Sequence, residues 1–220
     1  CIRDSPPPGF SKPTEKKNEE LPTSKVIAMP PGSSPALILG FSGPARSSPD
    51  FLPFNLAIQT LAGRPNTSLL ARKLSNVTSV KVFPLPASEV VRDSTSEQVW
   101  LVAVRVSKPW TDPKQAVDKI KGMLKGLGVR PLAESELDRT REFLKSSLTL
   151  SASSVRGRAR VLAHAEFYRL SESYAEDFAG LYDHLSPKLV MTVCKRYLEE
   201  PRVRWLYLEP GKETATTKFR

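Results

Sequence analysis

Residues Ser173 to Pro210 read SYAEDFAGLYDHLSPKLVMTVCKRYLEEPRVRWLYLEP, and this stretch decides the fold. Ser173 followed by Glu176 has the form of a capping box and predicts a helix start. Ser186-Pro187 is a second start signal, a hydroxyl for the free amides and a ring suited to the first helical turn. Leu189, Val193 and Tyr197, with Val190 and Cys194 alongside, then recur at helical spacing. Pro201 ends that helix. Val203, Trp205 and Tyr207 alternate with Arg204, Leu206 and Leu208, the spacing of a strand apolar enough to be mostly buried. A helix that delivers a closing strand predicts a layered α+β fold.

Working outward, residues 1–25 carry Pro6-Pro7-Pro8 and a charged run with little to bury, and are expected to form a disordered tether. Residues 26–210 are the expected domain, and residues 211–220 a flexible basic tail. Strands are expected at Lys25–Ile27, Ala36–Phe41, Val77–Leu85 and Gln98–Val106. The Val99–Val104 run is apolar on both faces and is expected at the sheet centre. Pro86 to Glu97 has the look of a polar hairpin. Asp50 is placed as the cap of a helix carrying Phe54, Ala57, Ile58 and Leu61, stopped by Gly63. A short helix is expected over about Thr67 to Leu74. Asp112 precedes a helix whose Val117, Ile120, Leu124 and Leu127 share a face, with Gly126 to Gly128 as its stop. Leu137, Leu144 and Leu148 mark a longer helix. Ser151 to Ser154 breaks the pattern, and Val155, Ala159, Leu162 and Phe167 mark another helix. The order predicts a single mixed, largely antiparallel sheet with helices packed on one face.

The chain has 220 residues, 40% of them hydrophobic and 25% charged, which suits one soluble domain with irregular ends. No apolar run approaches the ~20 residues of a spanning helix. The net charge of +10 would suit nucleic acid, anionic lipid or an acidic partner, or simply a solvated basic surface. Nucleic acid is the remote reading. Arg156, Arg158 and Arg160 point in different directions on a helix, and aromatics at 8% offer no stacking platform. The cysteines are Cys1 and Cys194. Cys194, among apolar helix residues, is expected to be buried and inert. Cys1 ahead of a Pro-rich polar spacer looks like the lipidated start of a bacterial lipoprotein. That leads to an expected location on the cell envelope, lipid-anchored on the periplasmic side. An organellar or cytoplasmic complex is the alternative.

The element order and several local stretches resemble one repeat unit of the pitrilysin/mitochondrial processing peptidase family, the inverted-zincin metallopeptidases. The stretches are Leu37-Ile38-Leu39-Gly40-Phe41 with Gly43-Pro44, Pro49 to Phe54 through Leu61-Ala62-Gly63, Ser68-Leu69-Leu70, Pro131 to Leu137, and Leu185-Ser186-Pro187 through Leu198. Together they cover nearly all of residues 26–210.

The resemblance implies a unit that pairs with another, in one chain or as subunits, around a peptide-binding chamber. Catalysis in that family needs His-x-x-Glu-His, two zinc ligands and a water-activating carboxylate. His164 and His184 are the only histidines here, so the motif is absent. Both are expected to be ordinary helix-surface or helix-end residues, and no cofactor is implied. Non-catalytic units of the family often lend an Arg and a Tyr to a partner's active site. Aligning Ser68-Leu69-Leu70 puts Ser75 and Val82 near those places, and leaves Arg72 and Lys73 as the nearby candidates for contact with a partner or substrate. The expectation is a catalytically inactive unit kept as a docking or scaffold subunit, beside an identical copy or a zinc-bearing relative. The alternative is the non-zinc half of a heteromeric peptidase that helps to bind substrate in the shared chamber.

Overall fold

The computed structural model describes residues 23–64, 67–85, 98–168, 170 and 180–211. Five strands form one sheet: β1 (Ser24–Met29), β2 (Ala36–Gly43), β3 (Val77–Pro84), β4 (Gln98–Val106) and β5 (Arg204–Pro210). Six α-helices accompany them among the described residues: α1 (Phe51–Ile58), α2 (Leu69–Lys73), α3 (Pro113–Val129), α4 (Glu134–Ala152), α5 (Val155–Phe167) and α6 (Pro187–Leu198).

The strand order is β1-β5-β2-β4-β3. The closing strand therefore slots between the first two, parallel to β1 and antiparallel to β2, while β2–β4 and β4–β3 are antiparallel. This is the mixed, largely antiparallel sheet expected. β4 is interior but lies one place from the edge; β2 holds the centre.

Side-chain alternation divides the sheet into two unlike faces. Leu37, Leu39, Phe41, Trp100, Val102, Val104 and Tyr207 point into the helical layer and are at most 2% exposed. Opposite them, Ile38, Val99, Leu101, Ala103, Leu206 and Leu208 are only half-buried. β5 consequently has one fully buried residue, Tyr207, where a mostly buried strand was expected. Its wetter second face, where Arg204, Leu206 and Leu208 lie, accounts for the difference.

The helix next to the sheet is α1, apolar on nearly every side and buried along nearly its whole length. Trp100 of β4 packs against Phe51 and Phe54 with ring centroids 5.5 and 5.4 Å away, and Phe54 meets Tyr197 of α6 edge-on at 5.6 Å. α3 buries Val117, Ile120, Leu124 and Leu127 as its spacing requires.

Four helices carry side-chain caps, and two of them, Asp112 and Ser186, were start signals in the sequence. Ser68, Asp112, Ser154 and Ser186 accept from the amides of Ala71, Lys114, Gly157 and Leu189. Asp50 differs. It precedes α1 but caps nothing; its carboxylate instead accepts from Arg196 and from the Tyr197 hydroxyl, tying α1 to α6.

Three further expectations are corrected. Gly126 and Gly128 lie inside α3, which runs through to Val129 rather than stopping at them. In α6 the buried stripe is Val190, Val193, Cys194 and Leu198, and Leu189 is 42% exposed. In α5 the expected apolar face is turned outward, with Val155 at 88% and Leu162 and Phe167 above half exposed, while Ala165 is buried. The Ser173/Glu176 capping box, the 86–97 hairpin, Cys1 with most of the tether, and residues 212–220 lie outside the described residues.

Candidate interaction surface

The sheet face turned away from the helices is built from every second residue of each strand. In register across it lie Ile27 and Leu208, Leu206 and Ile38, Ala103 with its neighbours Ile38 and Lys81, and Leu101 with its neighbours Gly40 and Phe83. None of these side chains belongs to the core cluster. Phe83 is 41% exposed at the β3 edge. The same alternation puts Lys25, Lys81, Arg105 and Arg204 on this face, all exposed. Glu209, the one carboxylate in the described strands, has the opposite parity and sits on the other side. The face is thus an apolar band with a basic rim.

Arg72 and Lys73 lie at the end of α2. Arg72 donates to Glu136 of α4 at 2.9 Å, beside Arg64, which donates to the other oxygen of the same carboxylate at 2.6 Å. Its guanidinium is therefore committed to holding α2 and the start of α4 together. Lys73 is exposed. Ser75 is exposed, and its carbonyl accepts from the Trp110 indole at 3.3 Å. Val82 packs against the core rather than facing the open side of the sheet.

His164 is an exposed residue of α5, in edge-on contact with Tyr168 at 5.8 Å. His184 is exposed in the turn before α6. Two histidines on separate elements do not fit a zinc centre, and among the described residues no group of three His, Cys, Asp or Glu could hold a metal. Cys194 is buried, and burial pushes its thiol up to about 12. Among the described residues no helix is long and apolar enough to cross a membrane.

No family model and no curated protein matches the chain at the level of sequence. Solved structures do. The peptidase M16 inactive domain from Pseudomonas fluorescens superposes with a TM-score of 0.68 at 19% identity, over 86% of this chain and 44% of that one. An inactive peptidase domain from Bordetella parapertussis gives 0.66 at 17% identity, over 83% of this chain and 96% of that one. The chain has the fold of an M16 peptidase domain. A chain of complex III2 from Candida albicans superposes with a TM-score of 0.65 at 12% identity, over 84% of this chain and 45% of that one. The chain spans about half the length of the first neighbours it matches, with 44% of a Helicobacter pylori protease covered as well. The M16 fold accounts for the helix-on-sheet layering, and the pitrilysin-type resemblance in the sequence corresponds to the fold found. The basic-rimmed band was not foreseen as such. Its apolar half was visible as strands apolar on both faces, but its rim depends on the register that puts Lys81 and Arg105 on one side.

Proposed function

We propose that this chain is a non-catalytic M16-type unit that docks through its open sheet face onto a second unit of the same fold. The apolar band with its basic rim carries this reading. A single layer of helices leaves one sheet face to be covered or wetted, and an apolar band there favours cover. The charge pattern selects the kind of partner. Two identical copies placed face to face would bring Lys25, Lys81, Arg105 and Arg204 against their own counterparts, and like charges across an interface are unfavourable. A unit whose matching face is apolar with an acidic rim is complementary. The absence of His-x-x-Glu-His in this chain fits a role in which any zinc chemistry belongs to that partner. The lengths of the first structural neighbours, about twice this unit, support a working state of two units.

The test is affinity purification of the native chain beside a Leu101→Lys variant, which buries a charge at the middle of the band. The expected result is co-purification of a second M16-fold protein with the wild type and its loss with the variant. A chain that purifies alone, or a partner held equally by Leu101→Lys, overturns the reading.

A further inference from the structure

The tip of the α4–α5 hairpin carries apolar side chains turned to solvent. Leu150, near the end of α4, is 76% exposed, and Val155, the first residue of α5, is 88% exposed. Leu162, two turns further along α5, is 59% exposed. Val155, Ala159 and Leu162 stand at i, i+4 and i+7 and so make one outward stripe. The side of α5 turned to the fold is a different one, made by Gly157, Val161 and Ala165. At 3.6 residues per turn, Arg156 and Arg160 lie along one flank of the outward stripe and Arg158 along the other. All three arginines are exposed. Arg158 donates through Nε to the Ala152 carbonyl at 3.3 Å, which holds it beside the tip. Among the described residues no carboxylate forms an ion pair with any of the three. The sequence gives the reason: between Glu142 and Glu166 there is no Asp or Glu, and the polar residues of the turn are serines. Glu166 closes the stripe one turn beyond Leu162.

We propose that this hairpin tip rests on a bilayer that contains anionic phospholipid. Leu150, Val155 and Leu162 enter the boundary between headgroups and acyl chains, and the arginines reach the phosphates on either side. A helix that lies in the membrane interface has this layout, apolar below and basic along its flanks. Apolar side chains exposed within a polar rim mark a surface that meets a protein or a membrane. Two features select lipid over an acidic protein. An outward helix face is convex, so a rigid protein must supply a matching groove, whereas acyl chains close around any shape. The charges are all arginines, whose guanidinium takes a phosphate through two parallel hydrogen bonds while the apolar stem lies among the acyl chains. Three cations and three apolar side chains make a weak, reversible contact, one that orients the unit on a surface. The contact does not involve Cys1 and does not depend on pairing through the sheet face.

The test is vesicle co-sedimentation of the full chain, carrying Cys1→Ser so that no acyl group at residue 1 contributes. The chain should sediment with vesicles of phosphatidylcholine and phosphatidylglycerol in equal parts, far less with phosphatidylcholine alone, and less with the mixed vesicles as salt rises. Arg156→Gln and Arg160→Gln should each weaken binding about fivefold, the effect of one cation beside an anionic surface. Leu150→Ser with Val155→Ser should lower it about tenfold or more, since both side chains lose their apolar transfer. Both sites are exposed, and an unchanged thermal melt shows that the double variant is folded. Val129→Ser, 64% exposed at the end of α3, should bind as the parent does. No sedimentation with the mixed vesicles overturns the proposal, as does equal binding to phosphatidylcholine alone. Undiminished binding by the folded Leu150→Ser/Val155→Ser variant, or an equal affinity for soluble polyglutamate, overturns it too, because charge alone would then account for the attraction.

Discussion

Gly128 of α3 lies directly against the backbone of Lys195 in α6. A Cβ placed at Gly128 would stand 2.7 Å from the Lys195 Cα and 2.9 Å from its nitrogen. Real Cβ atoms do not approach so closely, and here the neighbour is backbone that cannot swing aside. The glycine therefore sets the distance between the two helices. Gly126, two residues before it along the same helix, has nothing within 4 Å.

The pair gives opposite predictions. Gly128→Ala should destabilise the fold by about 1–3 kcal/mol, as overpacking does. Gly126→Ala should stabilise it by roughly 0.5–1 kcal/mol, since a helix interior gains from losing glycine's backbone freedom. Urea unfolding of the two variants checks both. Equal effects would contradict the close contact.

Arg141 ties α4 to the turn before α6. It is 7% exposed, and it donates to the carbonyl of Tyr182 at 3.2 Å and to that of Leu185 at 2.6 Å. Glu134 at 2.8 Å and Asp138 balance its charge. Arg141→Met keeps much of the volume but removes the donor to each carbonyl, the Tyr182 carbonyl keeping the longer bond from the Leu185 amide at 3.4 Å. The expected cost is about 2–3 kcal/mol. Hydrogen exchange should show faster opening of residues 180–186 than of the sheet.

How much of this was legible in the sequence follows from the range of each interaction. The strands and helices were readable because alternation and 3.6-residue spacing are local, as were the caps Asp112 and Ser186. Helix phase was harder. Leu189 and Val190 are adjacent and both apolar, so either could lead the buried stripe, and only packing against α1 and α3 selects Val190. In α5 the spacing of Val155, Ala159 and Leu162 was recognised, yet spacing does not say on which side the core lies. Gly128 looked like a helix stop because its reason for being glycine is Lys195, far along the chain. The same holds for the candidate surfaces. Glu136, Arg64 and Arg72 are brought together only by the fold.

Glu136 should make stability depend on pH in the acid range. Burial alone would raise its pKa, but hydrogen bonds from Arg72 and Arg64, and their charges, bring it below the ordinary 4.5. A group held lower in the folded than in the unfolded chain stabilises fully above its unfolded value, and that contribution is lost as pH falls through the folded value. Glu136→Gln should therefore lower Tm at neutral pH, and its curve should converge on the wild type in acid below the folded value. Thermal melts over that range decide it; a constant gap between the two curves would contradict the assignment.

Cys194 should be chemically silent while the chain is folded. Burial pushes its thiol up to about 12, so almost no thiolate exists at pH 8, and the thiolate is the nucleophile. Alkylation at pH 8 should modify Cys194 only after denaturant is added. Mass analysis of tryptic peptides distinguishes it from Cys1. Rapid native labelling of Cys194 would mean that α6 opens far more readily than its packing allows.

The last prediction concerns the basic rim and uses no natural partner. Lys81 and Arg105 are exposed residues on the open sheet face, on neighbouring strands β3 and β4. Reversing both, as Lys81→Glu with Arg105→Glu, keeps the apolar band and changes the sign of one side of its rim. Neither site is buried, so the fold should tolerate the change to within about 0.5 kcal/mol per site. Wild type alone brings like rims together on self-association, and so does the variant on its reversed side. A mixture brings opposite charges together across the same apolar band. Sedimentation at low micromolar concentration should therefore show more association in the mixture than in either component. The excess should fade as salt rises from 0.05 to about 0.5 M, where the screening length drops well below the ~10 Å it has near 0.1 M. Association unchanged on mixing, or insensitive to salt, would show that the open sheet face is not where this unit pairs.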